Sequence, residues 1–221
     1  MNFSAVIFDL DGTVILNEEV YGASFLAILR KYGADLTGVD LVTPHTPGIG
    51  MEKNWEAMKK KFGLPQELSV SQLSHETQDE YHKRMEDVIV RPGFYDFQEF
   101  LVEEGIYTAL ATSNNWWFVE DELKDMNLSA RFNALVTREE VENPKPEPDL
   151  FFKSAEKLGV EPELCIVIED SEAGVAAAKE AGMKVVVVLN ENTERGDFPD
   201  ADLIVQDFTE LNPKLLDSLY I

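Results

Sequence analysis

Ala5-Val6-Ile7-Phe8-Asp9-Leu10-Asp11-Gly12-Thr13 decides how the rest of the chain is read. Four consecutive apolar residues with no polar alternation are the pattern of a strand covered on both faces. Two carboxylates two positions apart follow at once. In an extended segment, residues i and i+2 point to the same side, so both acids can face one small volume. Gly12 then permits a tight turn. Neighbouring carboxylates repel unless a cation or a shared proton resolves them. The chemistry that uses such a pair is metal binding, or divided labour between a nucleophile and an acid/base.

Outward from this stretch, short apolar runs recur at Tyr107–Ala111, Ala134–Val136, Cys165–Ile168, Val185–Leu189 and Leu203–Val205. Helical patterns separate the later ones: Val119, Leu123 and Met126 share one face, and so do Phe151, Ala155 and Leu158. The small-residue segment from Ala173 to Ala181 suits close packing on a sheet. Strands alternating with helices predict an α/β fold with a doubly wound, Rossmann-like parallel sheet.

The interval from Leu16 to Val90 breaks the alternation and predicts only helices. Tyr21, Phe25, Leu29 and Tyr32 form one apolar face; Met51, Trp55, Met58 and Phe62 a second; Leu73, Thr77, Tyr81, Met85 and Val88 a third. They predict an inserted helical bundle with its own core. The expected division is an α/β core of residues 1–15 and 91–221, and a helical cap of residues 16–90, with Arg91-Pro92-Gly93 marking the return to the core.

Asp and Glu number 42 against 19 Lys and Arg, a net charge of −23. This argues against nucleic acid or an anionic membrane as partner, and any anion site must be built locally. The run Lys59-Lys60-Lys61 reads as a solvated helix face. The single cysteine, Cys165, excludes an internal disulfide and reads as a buried core thiol. No signal-peptide pattern and no membrane-length apolar run is visible, so the expected location is cytoplasmic. The oligomeric state is left open, a monomer being compatible.

In doubly wound sheets, ligands bind at the carboxyl ends of strands near the topological switch point. The residues there are Asp9 and Asp11; Thr112, Ser113 and Asn114; and Glu169 and Asp170. Asn143-Pro144-Lys145-Pro146-Glu147-Pro148-Asp149 adds a cation on a segment its prolines are expected to hold stiff and extended.

Asp9-Leu10-Asp11-Gly12-Thr13, Ala111-Thr112-Ser113-Asn114, Pro144-Lys145-Pro146-Glu147-Pro148-Asp149 and Ile168-Glu169-Asp170-Ser171-Glu172-Ala173-Gly174 together resemble the four motifs of the haloacid dehalogenase superfamily. They stand in the right order and span nearly the whole chain. The insert resembles the small helical cap of the phosphoglycolate phosphatase and β-phosphoglucomutase-like branch.

The resemblance implies a Mg²⁺-dependent phosphatase acting on a small phosphorylated metabolite. Asp9 would be the nucleophile that forms an aspartyl phosphate, and Asp11 the acid/base. True dehalogenases of the family lack an aspartate at the second position. Asp9, the main-chain carbonyl of Asp11, and Asp170 would hold Mg²⁺, with Glu169 bound directly or through water; hard oxygen ligands suit that ion. Thr112, Ser113, Asn114 and Gly12 would surround the phosphate. Lys145 would offset the charge of phosphate and carboxylates.

Plainer readings stand beside these. A D-x-D pair can be a helix-capping turn, Glu169-Asp170-Ser171 an ordinary N-cap, Thr112 a strand-end threonine and Lys145 a surface lysine. Of Trp116 and Trp117, at least one reads as packing while the other could line the cleft. In the cap, His45-Thr46-Pro47-Gly48-Ile49-Gly50 is a loop able to bend over the cleft. His45 and Lys53 are the candidates for substrate contact, against an exposed loop histidine as the bland reading. His75 and His82 read as solvent-facing. A phosphomutase of the same branch is the alternative function, although the histidine and arginine of the mutase pattern are missing early in the cap. Asn17 and Glu18 stand where many relatives carry Asp-Ser or Asp-Thr. A catalytically idle binding module is the third reading, weakened because no essential acid and no lysine is missing.

Overall fold

The computed structural model describes residues 1–38, 44–190 and 193–220. Its centre is a six-stranded parallel sheet built from β1 (Ala5–Phe8), β4 (Tyr107–Ala111), β5 (Ala134–Val136), β6 (Cys165–Glu169), β7 (Lys184–Val188) and β8 (Leu203–Val205), in the order β5-β4-β1-β6-β7-β8. β1 pairs with β4 on one side and β6 on the other, so the winding reverses around it. This is the α/β, Rossmann-like class read from the alternating runs.

The pleat sorts the apolar runs onto two faces. Val6, Phe8, Leu110, Ile166, Ile168, Val186 and Val188 pack on one side with α4 (Phe94–Glu103) and α5 (Trp116–Asp125). Ala5, Ile7, Ala109, Ala111, Cys165, Val167, Val185 and Val187 pack on the other with α6 (Asp149–Leu158) and α7 (Glu172–Glu180). On the second face small residues on strand and helix bring the layers close: Ala5, Ala109 and Ala111 meet a cluster that holds Ala155, Ala177 and Ala178. Cys165 lies in that layer, fully buried, and burial pushes its thiol up to about 12. The short helix α8 (Pro213–Asp217), capped by the Asn212 side chain, follows β8 and leads into a 3₁₀ turn at Ser218–Tyr220.

Between the first two sheet strands lie α1 (Glu18–Lys31), α2 (Met51–Lys61) and α3 (Val70–His82), with α3 packed on both others. The third predicted face is interrupted after His82, because Met85–Asp87 forms a separate 3₁₀ turn. The expectation of an all-helical interval is corrected at its ends. β2 (Ile15–Leu16) and β3 (Ile89–Val90) pair antiparallel, Ile15 with Val90 and Leu16 with Ile89, so the two crossings run side by side. The helices also share the main apolar cluster instead of closing one of their own. Phe118 of α5 stacks edge-on against Tyr21 at 5.8 Å and lies 5.3 Å from Tyr81, which joins the insert to the sheet layer.

No described helix is long and apolar enough to cross a membrane.

Candidate active site

The site forms at the carboxyl end of β1, where the winding reverses. Asp9 ends the strand, its N–H donating to Ile168 O at 3.0 Å. Lys145 Nζ lies 2.5 Å from Asp9 Oδ1 and 2.6 Å from Glu169 Oε1, and donates to Ala111 O at 3.2 Å. Burial works against the lysine charge, but the two carboxylates outweigh it and hold the ammonium above its usual pKa. Burial raises Asp9 well above the ordinary carboxylate range; Lys145 opposes this, and Glu169 and Asp11 add to it. The proline-rich segment delivers this cation by turning, not by running extended: Glu147 N–H bonds to Pro144 O at 3.2 Å, and the Lys145-Pro146 peptide is cis. The turn drives Lys145 inward, where it is completely buried.

Glu169 has both oxygens engaged. Oε1 faces Lys145, while Oε2 accepts from the Asp170 and Ser171 N–H groups at 3.0 and 3.1 Å and from Ser171 Oγ at 2.9 Å, ahead of α7. Asp170 accepts from the neutral donors Thr13 Oγ1 at 3.3 Å and Asn190 Nδ2 at 2.9 Å, with the charge of Arg91 nearby. Burial, then the charges of Glu169 and Asp9, raise its pKa well above normal. Asp9, Glu169 and Asp170 each place an oxygen within 4.8 Å of the others. Buried acids this close with one ammonium between them are a donor set that fits a hard divalent cation.

Asp11 has a different environment from Asp9. Its Oδ1 accepts from Asn17 Nδ2 at 2.7 Å, and its Oδ2 from Asn114 Nδ2 at 3.0 Å and Thr112 Oγ1 at 3.5 Å. Burial raises its pKa, Asn17 and Asn114 opposing and Glu18 reinforcing. Asn114, expected at the phosphate, therefore has its amide N–H₂ on Asp11, while its Oδ1 accepts from Tyr21 Oη at 3.1 Å and Met51 N at 3.0 Å. Gly12, also expected there, has its N–H bonded to Ile15 O at 2.8 Å, and Arg91 takes its carbonyl. What Gly12 supplies is room: at φ +78°, a Cβ would fall 2.0 Å from Asp170 Oδ2. Thr112 is buried and accepts from Asn114 N at 3.1 Å; the buried Ser113 Oγ has no hydrogen-bond partner among the described residues.

The helical insert covers this cluster. Gly50 comes so close to Ser113 that a Cβ there would lie 2.3 Å from the Ser113 carbonyl oxygen. A small pocket remains, lined by Asp9, Asp11, Glu18, His45, Asn54 and Ser113 among others. His45 is buried, not exposed: its ring stacks on Phe25, and Nε2 lies 3.0 Å from Glu18 Oε2. Lys53 points elsewhere, bonding to Lys145 O at 3.2 Å, and so ties α2 to the proline-rich turn. Neither tryptophan lines this pocket: Trp117 stacks on His75 at 4.3 Å, and Trp116 lies at the start of α5 with its N–H on Glu139. His75 is exposed, as expected, while its ring stacks on Trp117; His82 is only half-buried, beside Asp121 at 3.9 Å.

The match to known proteins has the same extent as this arrangement. The family model for haloacid dehalogenase-like hydrolases fits residues 6–188, from β1 to the end of β7. The chain belongs to this family. YhcW of Bacillus subtilis strain 168 is 32% identical over 215 residues, covering 96% of this chain and 95% of its own. Hexitol phosphatase B of Escherichia coli K12 is 28% identical over 221 residues, covering 95% of each. The crystal structure of CbbY from Rhodobacter sphaeroides in complex with phosphate superposes with a TM-score of 0.84 at 25% identity, over 99% of this chain and 100% of that one. This haloacid dehalogenase-like chain is a phosphatase.

Sequence reasoning missed four side chains that organise the site. Arg91, buried at the return from the insert, donates to Thr13 O at 2.9 Å, Leu189 O at 2.9 Å and Gln206 O at 3.3 Å, as well as to Gly12 O. Asn17, Tyr81 and Glu122 form a buried chain behind Asp11. One signal was available. In α5 the buried residues are Phe118, Val119, Glu122 and Leu123, which puts Glu122 on the apolar stripe.

Proposed function

We propose that this phosphatase hydrolyses the monoester of a small phosphorylated metabolite through an aspartyl phosphate on Asp9, with Mg²⁺ as cofactor. The observation that carries the reading is the unequal setting of two carboxylates from one strand end. Asp9 faces a buried ammonium at 2.5 Å, and Asp11 is held only by two amides and a hydroxyl. Burial raises both acids; the ammonium beside Asp9, joined by a metal when one is bound, works against that and favours its ionised form, while Asp11 is held by neutral groups, and this split assigns nucleophile and acid/base.

Asp9 attacks phosphorus as the bond to the leaving oxygen breaks, and Asp11 gives that oxygen its proton. Asp11 then takes a proton from water, which attacks the aspartyl phosphate and releases inorganic phosphate and free Asp9. Thr112 Oγ1, Ser113 Oγ, which has no partner among the described residues, and the Ser113 amide are assigned to the phosphate oxygens. Lys145 offsets negative charge on the transferring group. Asp9, the Asp11 carbonyl and Asp170 would hold the metal. When bound, it neutralises phosphate charge and lets the acids stay ionised. Glu169, with both oxygens occupied, is assigned contact through water.

Residues 16–90 act as the cap, which excludes bulk water when closed and opens for release. The hydrolase reading is preferred to the mutase because of the pocket lining. Among the described residues around it, His45 is the one group able to carry positive charge, and it is engaged by Glu18. A second phosphate therefore has no cation to meet there.

The test is release of p-nitrophenol from p-nitrophenyl phosphate with and without Mg²⁺, followed by a panel of phosphorylated metabolites read by phosphate release. Mg²⁺-dependent turnover that disappears in Asp9→Asn is expected. Equal turnover by that variant overturns the reading. Isomerised sugar phosphate forming faster than free phosphate from a hexose 1-phosphate and a bisphosphate activator would make the enzyme a mutase.

A further inference from the structure

We infer that Glu122 is a positioning residue for Asp11, acting through Tyr81 and Asn17 along a buried hydrogen-bonded chain that crosses from α5 through the cap to the acid/base. The inference rests on the hydrolase reading above. Its geometry is directional. Asn17 Nδ2 has two hydrogens; one goes to Asp11 Oδ1 at 2.7 Å and the other to Tyr81 Oη at 3.0 Å. Tyr81 in turn donates its hydroxyl proton to Glu122 Oε1. A primary amide whose two N–H bonds end on fixed acceptors has no remaining freedom to rotate, so the position of the Glu122 carboxyl sets that of Asp11.

Burial makes the arrangement demanding. Asn17 is 1% exposed, and Tyr81 and Glu122 are 0% exposed. A buried carboxyl with no cation beside it is costly as an anion. The groups facing Glu122 are Tyr81 from α3, Asn17 at the start of α1, and the charge of Asp11 beyond the end of β1. None of them is cationic. Burial, then Asp11, push its pKa well up, with Tyr81 and Asn17 opposing. Among the described residues, two oxygens in this network have no hydrogen-bond partner, Glu122 Oε2 and Asn17 Oδ1.

The chain also crosses the boundary between the two parts of the molecule. Glu122 and Asp11 belong to the sheet layer, Asn17 and Tyr81 to the helical insert. The second bracket on Asp11, Asn114, is likewise held from the insert by Tyr21 and Met51. A carboxyl fixed at both oxygens by cap-linked amides is in place for proton delivery only when the cap is seated.

The readout must separate a displaced acid from a loosened fold. Leaving groups differ in their need for a proton: phenol leaves less readily than p-nitrophenol and depends more on Asp11. Single-turnover release of each alcohol, with enzyme in excess over phenyl phosphate or p-nitrophenyl phosphate, reports the first transfer alone. Glu122→Leu and Tyr81→Phe are expected to slow phenol release by about 10²-fold, within the range of general acid catalysis, and p-nitrophenol release far less. Glu122→Gln keeps an acceptor for Tyr81 and supplies a neutral donor, and it is expected to retain the wild-type ratio of the two rates. The double variant Glu122→Leu/Tyr81→Phe should lose no more than either single one. Equal slowing of both substrates, or additive losses, would reduce Glu122 to a packing residue and overturn the inference alone. Absence of Mg²⁺-dependent release by the wild-type enzyme overturns the hydrolase reading and this inference with it.

Discussion

Lys145 Nζ lies 2.5 Å from Asp9 Oδ1, with neither side chain open to solvent beyond a few per cent. The contact joins the end of the central strand to a turn far along the chain. It also forces a choice on the site, since the same ammonium faces Glu169 at 2.6 Å. One ammonium serves two buried acids, and Asp170 beside them has only the nearby charge of Arg91, whose hydrogen bonds go to carbonyls. The balance is incomplete without further positive charge, which is the electrostatic argument for a divalent ion.

Replacing the cation exposes this balance. Lys145→Met leaves Asp9 and Glu169 buried without a counter-charge, a change that typically costs about 3–5 kcal/mol. Urea unfolding at pH 8 should show a loss of that order, partly regained as pH falls and Asp9 takes up a proton. Turnover should drop by roughly 10³-fold or more, since transition-state charge loses a fixed partner. An unchanged midpoint at pH 8 would count against the buried pair as a structural element.

Stability should depend on pH and Mg²⁺ together. Asp9 and Asp170 have folded-state pKa values raised above those of the unfolded chain. Between the two values the folded state binds more protons, so metal-free stability falls as pH rises from the ordinary carboxylate range toward the raised one. Mg²⁺ reverses the penalty, and at 100 times its dissociation constant it adds about 2.7 kcal/mol. Thermal melts with Mg²⁺ or EDTA should separate more widely at pH 8 than at pH 5.5. A gap that narrows with rising pH would place the metal elsewhere.

Gly12→Ala tests the close approach of the first turn to Asp170. The substitution adds a Cβ at φ +78° where Asp170 Oδ2 would be 2.0 Å away. Strain of about 1–3 kcal/mol is expected, together with displacement of Asp170. The diagnostic result is a weakened Mg²⁺-induced rise in Tm, and not the lower Tm alone. A full Mg²⁺ response would show that Asp170 tolerates the shift.

Much of this was readable from residue order, and the limits have physical causes. The apolar runs are visible because parallel strands are buried on both faces; Asp9, Thr112 and Asp170 stand out at strand ends, and Lys145 on its proline-rich turn. The β2–β3 pair escapes because two residues per strand leave no period to detect. Arg91 looks like any basic residue before a proline until four carbonyls from three segments converge on it. Glu122 sits in Glu120-Asp121-Glu122, and only its helical phase distinguishes it from its solvated neighbours. Lys53 and Trp117 show the reverse: types suited to binding, placed by packing where the inserted helices meet the sheet layer.

Arg91→Lys probes the convergence. A guanidinium presents a planar fork to several acceptors, and an ammonium cannot reproduce it. Hydrogen bonds to a charged donor are worth about 1.5–3 kcal/mol, so the loss of more than one should lower stability by at least that much. Activity should fall with it, because Gly12 and Thr13 carry the first turn of the site. Stability equal to that of the wild type would mean that the four carbonyls find other donors.

Cys165 supplies a simple check on burial. With its thiol pushed up to about 12 by desolvation, the native protein should resist iodoacetamide at pH 8, and the urea-unfolded chain should be alkylated fully. Mass spectrometry reads both states, and rapid labelling of the native protein would contradict the packing between the sheet and its second helical layer.

The paired strands Ile15–Leu16 and Ile89–Val90 have a consequence for how the molecule can assemble. They make the helical excursion begin and end at one point, so its closure is a local event. Those helices can be gathered late, onto a sheet already formed, without threading the chain through it. Selection could therefore lengthen, shorten or exchange the excursion while the strands below kept their register, provided that Asn17 and Arg91, on either side of the gate, remained.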